Sequence, residues 1–167
     1  RRGITSFTRE QVGEGFDSWL RVDSDLLFVL PTGSGKTIIG ELLTVLTLAS
    51  GKPVIWLLPT RALVRQVRRE LRVAVPESLV RVEELPTTDD FFPQFTETAL
   101  DRNYVAVTTP EKLAALIRVN PDAVHDVGLV VFDEAQLLLD DSRSTTAESV
   151  LMQLHNTTQC RFTLMTA

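Results

Sequence analysis

Short, uninterrupted apolar runs recur along this chain, each followed by a stretch of helical periodicity. "DLLFVL" (Asp25 to Leu30), "PVIWLL" (Pro53 to Leu58), "YVAVTT" (Tyr104 to Thr109) and "VGLVVFDE" (Val127 to Glu134) are strand-sized and do not alternate with polar residues. A strand apolar at successive positions is buried on both faces, as in a parallel sheet covered by helices on each side. The intervening segments supply those helices. One runs from Thr37 to about Ser50, with Gly51 as its stop. In the next, capped by Thr60, Leu63, Val64, Val67, Leu71 and Val75 keep helical spacing. A third spans Glu111 to about Val119 behind Pro110, and "TTAESVLMQLH" forms a fourth. A capping box of Thr8 and Gln11 predicts a helix to about Leu20. "LVRVEEL" (Leu79 to Leu85) reads as a short strand, "PTTDDFFPQF" (Pro86 to Phe95) as a loop and "CRFTLMTA" (Cys160 to Ala167) as a last strand. The fold class is therefore α/β, a mostly parallel sheet with helices on both faces.

Such sheets bind ligands outside the carboxyl ends of their strands. That rule sets the loop of the thirties, Pro59–Arg61, Thr108–Pro110, Asp133–Gln136 and Thr166 on one rim. The first of these, "LPTGSGKT" (Leu30 to Thr37), lies between a strand and a helix, where a phosphate-binding loop belongs. Gly33 and Gly35 let backbone N–H groups turn inward around phosphate oxygens, and the helix N-terminus adds a favourable dipole. The strict pattern has Gly where Leu30 stands. Lys36 can reach the β- and γ-phosphates of a nucleotide, and the Thr37 hydroxyl can ligate Mg²⁺. Pro31, Thr32 and Ser34 complete the loop.

A greasy strand ending in adjacent carboxylates, Asp133 and Glu134, needs a positive partner. Magnesium on ATP supplies one. Asp133 suits a metal contact, and Glu134 suits orienting or deprotonating the water that attacks the γ-phosphate. The bland alternatives are a Gly-rich turn and a solvated acid pair, and the two motifs together argue against both.

These motifs resemble those of superfamily 2 DExH/D-box helicases, in the first of their two RecA-like domains. "LPTGSGKT" is similar to motif I, "PTRALVRQ" (Pro59 to Gln66) to motif Ia and "TPEKL" (Thr109 to Leu113) to motif Ib. "DEAQ" (Asp133 to Gln136) resembles motif II, and "LMTA" (Leu164 to Ala167) the start of motif III. "FTREQ" (Phe7 to Gln11) resembles the element that recognises adenine through glutamine, here Gln11, with Thr8 where RecQ-like enzymes have arginine. Asp140, Arg143 and Glu148 follow a Ski2-like pattern, from which Gln136 (for His) and Ser144 (for Gly) depart.

The resemblance implies a RecA-like P-loop NTPase domain over residues 1–167, belonging to a helicase or translocase that hydrolyses ATP with Mg²⁺. It implies backbone contacts to a single strand of DNA or RNA from Arg61, Thr109 and Arg143, and coupling of nucleotide state through Gln136 and Thr166. Lys36, Glu134 and Gln136 are then the catalytic set. It also implies an arginine finger from a second RecA-like domain in the same full-length chain. The rival readings are an ATP-gated clamp that never translocates and a P-loop kinase for a small molecule, which would not need "PTRALVRQ" or "TPEKL".

Composition narrows the rest. A length of 167 residues suits one domain, and a start at Arg1 with an end inside a strand leads to the expectation of a piece of a longer protein. No apolar run approaches a membrane span, so no membrane partner is expected. The single Cys160 suits a reducing cytoplasm, or a nucleus. A net charge of −5 excludes a diffuse basic surface but leaves room for a local patch. In the Thr60-capped helix, Arg61, Arg65, Arg68 and Arg72 form one stripe; for Arg65, Arg68 and Arg72 a solvated face is the plain alternative to phosphate contact, whereas Arg61 sits at the rim beside the helix start. His125 and His155 lack metal-ligand spacing, and Trp56 is expected in the core. Trp19, Phe91, Phe92 and Phe95 could stack on a base, though packing is the commoner role.

Overall fold

Six strands, all parallel, form one sheet in this computed structural model, which describes residues 24–31, 33–75, 80–85, 100, 102–139 and 144–167. The strands are β1 (Leu26–Val29), β2 (Val54–Leu57), β3 (Arg81–Glu84), β4 (Tyr104–Thr108), β5 (Leu129–Asp133) and β6 (Arg161–Thr166). The helices are α1 (Lys36–Ala49), α2 (Arg61–Ala74), α3 (Pro110–Val119) and α4 (Ser144–Thr157), with 3-10 turns at Pro121–Val124 and Ala135–Leu139. These bounds fall within a residue or two of the sequence reading, the final strand included, which opens at Arg161, one residue after Cys160. The helix expected from Thr8 to Leu20 and the loop expected from Pro86 to Phe95 lie outside the described residues.

Alternation along the strands sorts the core into two layers. Ile55, Leu57, Ala106, Val130, Phe132 and Phe162 join Leu113, Leu116 and Ile117 of α3 and Ala147, Val150 and Leu154 of α4 on one face. Val54, Trp56, Val105, Val107, Leu129, Val131 and Met165 meet Ile39 and Leu43 of α1 and Val64, Val67 and Leu71 of α2 on the other. The central strands are thus dry on both sides, which is why their sequences do not alternate.

Local chemistry ends the helices where expected. Thr60 Oγ1 accepts the Leu63 N–H at 3.3 Å to open α2, and Gly51, at φ 78°, takes the left-handed conformation just past α1. Among the described residues, no helix is long and apolar enough to cross a membrane.

The strand order β1-β6-β5-β2-β4-β3 has a consequence for function. The strands run parallel, so the loops after β1, β2, β4, β5 and β6 emerge at one edge, as expected. β6 lies between β1 and β5, so Thr166 stands between the glycine loop and the acid pair. At the usual strand spacing those two loops begin roughly 10 Å apart.

Candidate nucleotide-binding site

Backbone geometry shapes the glycine loop. Gly33 and Gly35 have φ of 81° and 80°, a region that side chains disfavour. The Ser34 N–H donates to Pro31 O at 3.1 Å, and the Ile38 N–H to Gly35 O at 3.0 Å, so the chain turns tightly into α1. The first N–H groups of that helix have no partners within it, and the N-cap, Gly35, brings no side chain to cap them. Lys36 begins the helix at only 8% exposure and makes no ion pair among the described residues. Ser34 Oγ is buried without a hydrogen-bond partner. First-turn amides, a lysine of which only 8% is exposed and an orphaned hydroxyl are donors that a polyphosphate satisfies.

Across β6, Asp133 ends β5 and accepts the Glu134 N–H through Oδ1 at 2.9 Å. Burial raises its pKa above the ordinary 3.8; the Glu134 N–H and Lys36 oppose the rise, and the charges of Glu134 and Glu70 add to it. A carboxylate held against its desolvation, with a hydroxyl-bearing Thr37 in the first turn of α1, fits a hard divalent cation.

The folded chain therefore holds the Asp133 proton more tightly than the unfolded chain does. This stabilising contribution is complete below the unfolded value and lost as pH rises through the raised folded one. Asp133→Asn keeps the acceptor for Glu134 N–H but removes the charge. It should melt at a higher temperature than wild type at neutral pH, with the gap closing in acid, as thermal scans against pH would show.

Glu134 is the only non-glycine residue with positive φ among the described residues, at 59°. Such strain persists only where surrounding structure holds it. Here the 3-10 turn that follows brings Gln136 back, so that its Nε2 donates to Glu134 Oε2. Thr166 Oγ1 donates to Gln136 Oε1 at 2.9 Å, and Thr166 O accepts the Leu30 N–H at 3.0 Å. One hydrogen-bonded line therefore runs from the strand that feeds the glycine loop, through Thr166 and Gln136, to Glu134. The Gln136–Thr166 bond was legible in the motifs. The backbone link to Leu30 and the left-handed Glu134 were not, because both depend on β6 entering between β1 and β5.

The proposed nucleic-acid contacts fare unequally. Arg61 is exposed on the rim at the start of α2. Thr109 is the N-cap of α3, 7% exposed, and its side chain makes no cap bond. Arg143, Gln11, Thr32, Trp19, Phe91, Phe92 and Phe95 lie outside the described residues. Within the arginine stripe, Arg68 and Arg72 are partly exposed but engaged by a neighbouring strand. Their Nη2 atoms reach Glu83 at 2.7 and 3.0 Å, and their Nε atoms donate to Val82 O at 3.4 and 3.2 Å. Lys112 ties Glu84 at 2.7 Å from the opposite layer, so cations from α2 and α3 hold the edge strand β3. Arg65 remains exposed. His125 and His155 are exposed too, and Trp56 is fully buried.

Comparison with known proteins agrees with this geometry. Residues 14–167 match the DEAD/DEAH box helicase family. The chain is 31% identical over 154 residues to the ATP-dependent DNA helicase Hel308 of Thermococcus kodakarensis, covering 92% of this chain and 13% of that protein. It is 34% identical over 131 residues to activating signal cointegrator 1 complex subunit 3 of Danio rerio, covering 75% of this chain and 8% of that one. A hypothetical ATP-dependent RNA helicase from Sulfolobus tokodaii has the same fold, with a TM-score of 0.73 at 24% identity over 99% of this chain and 47% of its own. The chain thus spans a small part of the curated relatives it matches.

Proposed function

This chain belongs to the DEAD/DEAH box helicase family, and we propose that it is the ATP-binding first motor domain of a helicase or translocase acting on DNA or RNA. The observation that carries this reading is the line from Leu30 through Thr166 and Gln136 to Glu134. A phosphate loop and a catalytic acid joined by hydrogen bonds through a third strand can pass on a change at either end. A small-molecule kinase has no use for the rim arginine or that relay, and the relatives named as helicases lend nothing to a static clamp.

In this mechanism the amides of Gly33 to Thr37 and the Lys36 ammonium hold the phosphates of ATP, and Gln11 selects adenine. Thr37 and Asp133 would hold magnesium, which when bound neutralises charge on the phosphate oxygens. Glu134 takes a proton from the attacking water, and its strained backbone aims the carboxylate. Gln136 and Thr166 keep that carboxylate in register with the glycine loop. A second RecA-like domain in the full-length protein supplies the cation for the transition state, and Arg61, Thr109 and Arg143 follow the nucleic-acid backbone.

The deciding measurement is ATP hydrolysis by the full-length protein with single- and double-stranded DNA and RNA. Stimulation by at least one of them is expected; hydrolysis indifferent to all four would end the motor reading. The track contacts have their own test. The two cationic contacts, Arg61 and Arg143, on a single strand give a slope of log affinity against log salt of roughly −1.4. Arg61→Ala should make that slope shallower by roughly 0.7. Arg72→Ala should leave it unchanged, since that guanidinium is committed to Glu83.

A further inference from the structure

Gly40 stands inside α1, where glycine weakens a helix relative to alanine. Its neighbour supplies a reason. A Cβ on Gly40 would lie 2.5 Å from Trp56 Cη2, 2.8 Å from Trp56 Cζ2 and 3.3 Å from Met165 Cε. The indole is fully buried, and its Nε1 donates to Thr44 Oγ1 at 2.9 Å.

Lys36, Gly40 and Thr44 follow one another at four-residue steps and so share a face of α1. The first turn of that face carries the buried lysine, and the next two rest on the indole. Trp56 is in register with Val131 of β5, two residues before Asp133. The ring is thus wedged between the helix bearing Lys36 and Thr37 and the strand pair leading to Asp133.

We propose that Trp56 is a positioning residue for nucleotide binding: seated against Gly40 and bonded to Thr44, it sets the height of α1 above the sheet. That height fixes how far Lys36 and Thr37 stand from Asp133. A methyl group at position 40 must either lift the helix or rotate the ring, because close-packed interiors do not yield by more than a few tenths of an ångström without a rearrangement. Lifting the helix moves Lys36, and rotating the ring breaks the Thr44 bond. The inference deepens the nucleotide reading above and rests on it.

The test is a set of variants of this chain, each measured for Mg·ADP affinity by calorimetric titration and for melting temperature. Gly40→Ala should weaken Mg·ADP binding roughly tenfold or more, as displacement of a positioned group by about an ångström can. Gly40→Ala combined with Trp56→Phe should bind about as well as Trp56→Phe alone and better than Gly40→Ala, since the smaller ring vacates the space the methyl group needs. Leu116→Ala, in the other core layer, should lower the melting temperature while leaving affinity alone. Should Gly40→Ala fail to fold, Trp56→Phe and Thr44→Val carry the test: each should weaken binding more than Leu116→Ala does.

Wild-type affinity in Gly40→Ala, or a double variant that binds no better than Gly40→Ala, would overturn the proposal, as would wild-type affinity in both Trp56→Phe and Thr44→Val. Lys36→Ala separates the two levels. If it binds Mg·ADP as wild type does, the nucleotide reading itself fails. If it loses binding while the Gly40, Trp56 and Thr44 variants keep theirs, only the positioning role falls.

Discussion

Replacing Glu134 with Gln should cut ATP turnover of the full-length protein by roughly 10²- to 10⁴-fold, the usual worth of a positioned general base. Nucleotide affinity should stay close to wild type. The substitution keeps an oxygen that can accept from Gln136 Nε2, so the 3-10 turn and the left-handed backbone at φ 59° have no reason to move. It removes the ability to take a proton. Asp133 and its bond from the residue 134 N–H are untouched, so the metal contact proposed for it survives. Steady-state hydrolysis alongside equilibrium binding of a fluorescent ATP analogue distinguishes the two effects. Turnover at the wild-type level would place the base elsewhere. A parallel loss of binding would mean that Glu134 holds the nucleotide instead of acting on the water.

Turnover by residues 1–167 alone should be roughly 10³- to 10⁵-fold below that of the full-length protein, the range associated with supplying or withholding an arginine finger. The reason lies in the site loops. No arginine occurs in Leu30–Thr37, Asp133–Leu139 or Thr166–Ala167, so Lys36 is the one cationic side chain those segments bring to the phosphates. Adding the second RecA-like domain proposed for the full-length protein, in the same chain or as a separate piece, should restore hydrolysis. Replacing the finger arginine proposed for that domain with alanine should abolish the rescue. Near-normal hydrolysis by the short chain would show that the site is complete without a partner domain.

Much of this was legible in the amino-acid order, for local reasons. Unbroken apolar runs such as "GLVVF" demanded a sheet covered on both faces, and Thr60, Pro110 and Gly51 marked helix ends by chemistry acting within a few residues. Parallel strands then forced the glycine loop, Asp133 and Thr166 onto one rim. The arginine stripe of α2 shows where local reading stops. Its spacing is real, but Glu83 captures Arg68 and Arg72 from a strand 11 to 15 residues further on, and nothing within the helix announces that partner.

What the sequence determined by itself was the set of elements and the rim they share, because periodicity and turn chemistry are settled between near neighbours. Tertiary structure alone decided the order of the strands. With β6 between β1 and β5, the Thr166 carbonyl meets Leu30 and its hydroxyl meets Gln136. Packing likewise set the indole of Trp56 beneath Gly40. Such contacts join residues far apart in the chain, and which of them form depends on how whole layers fit together.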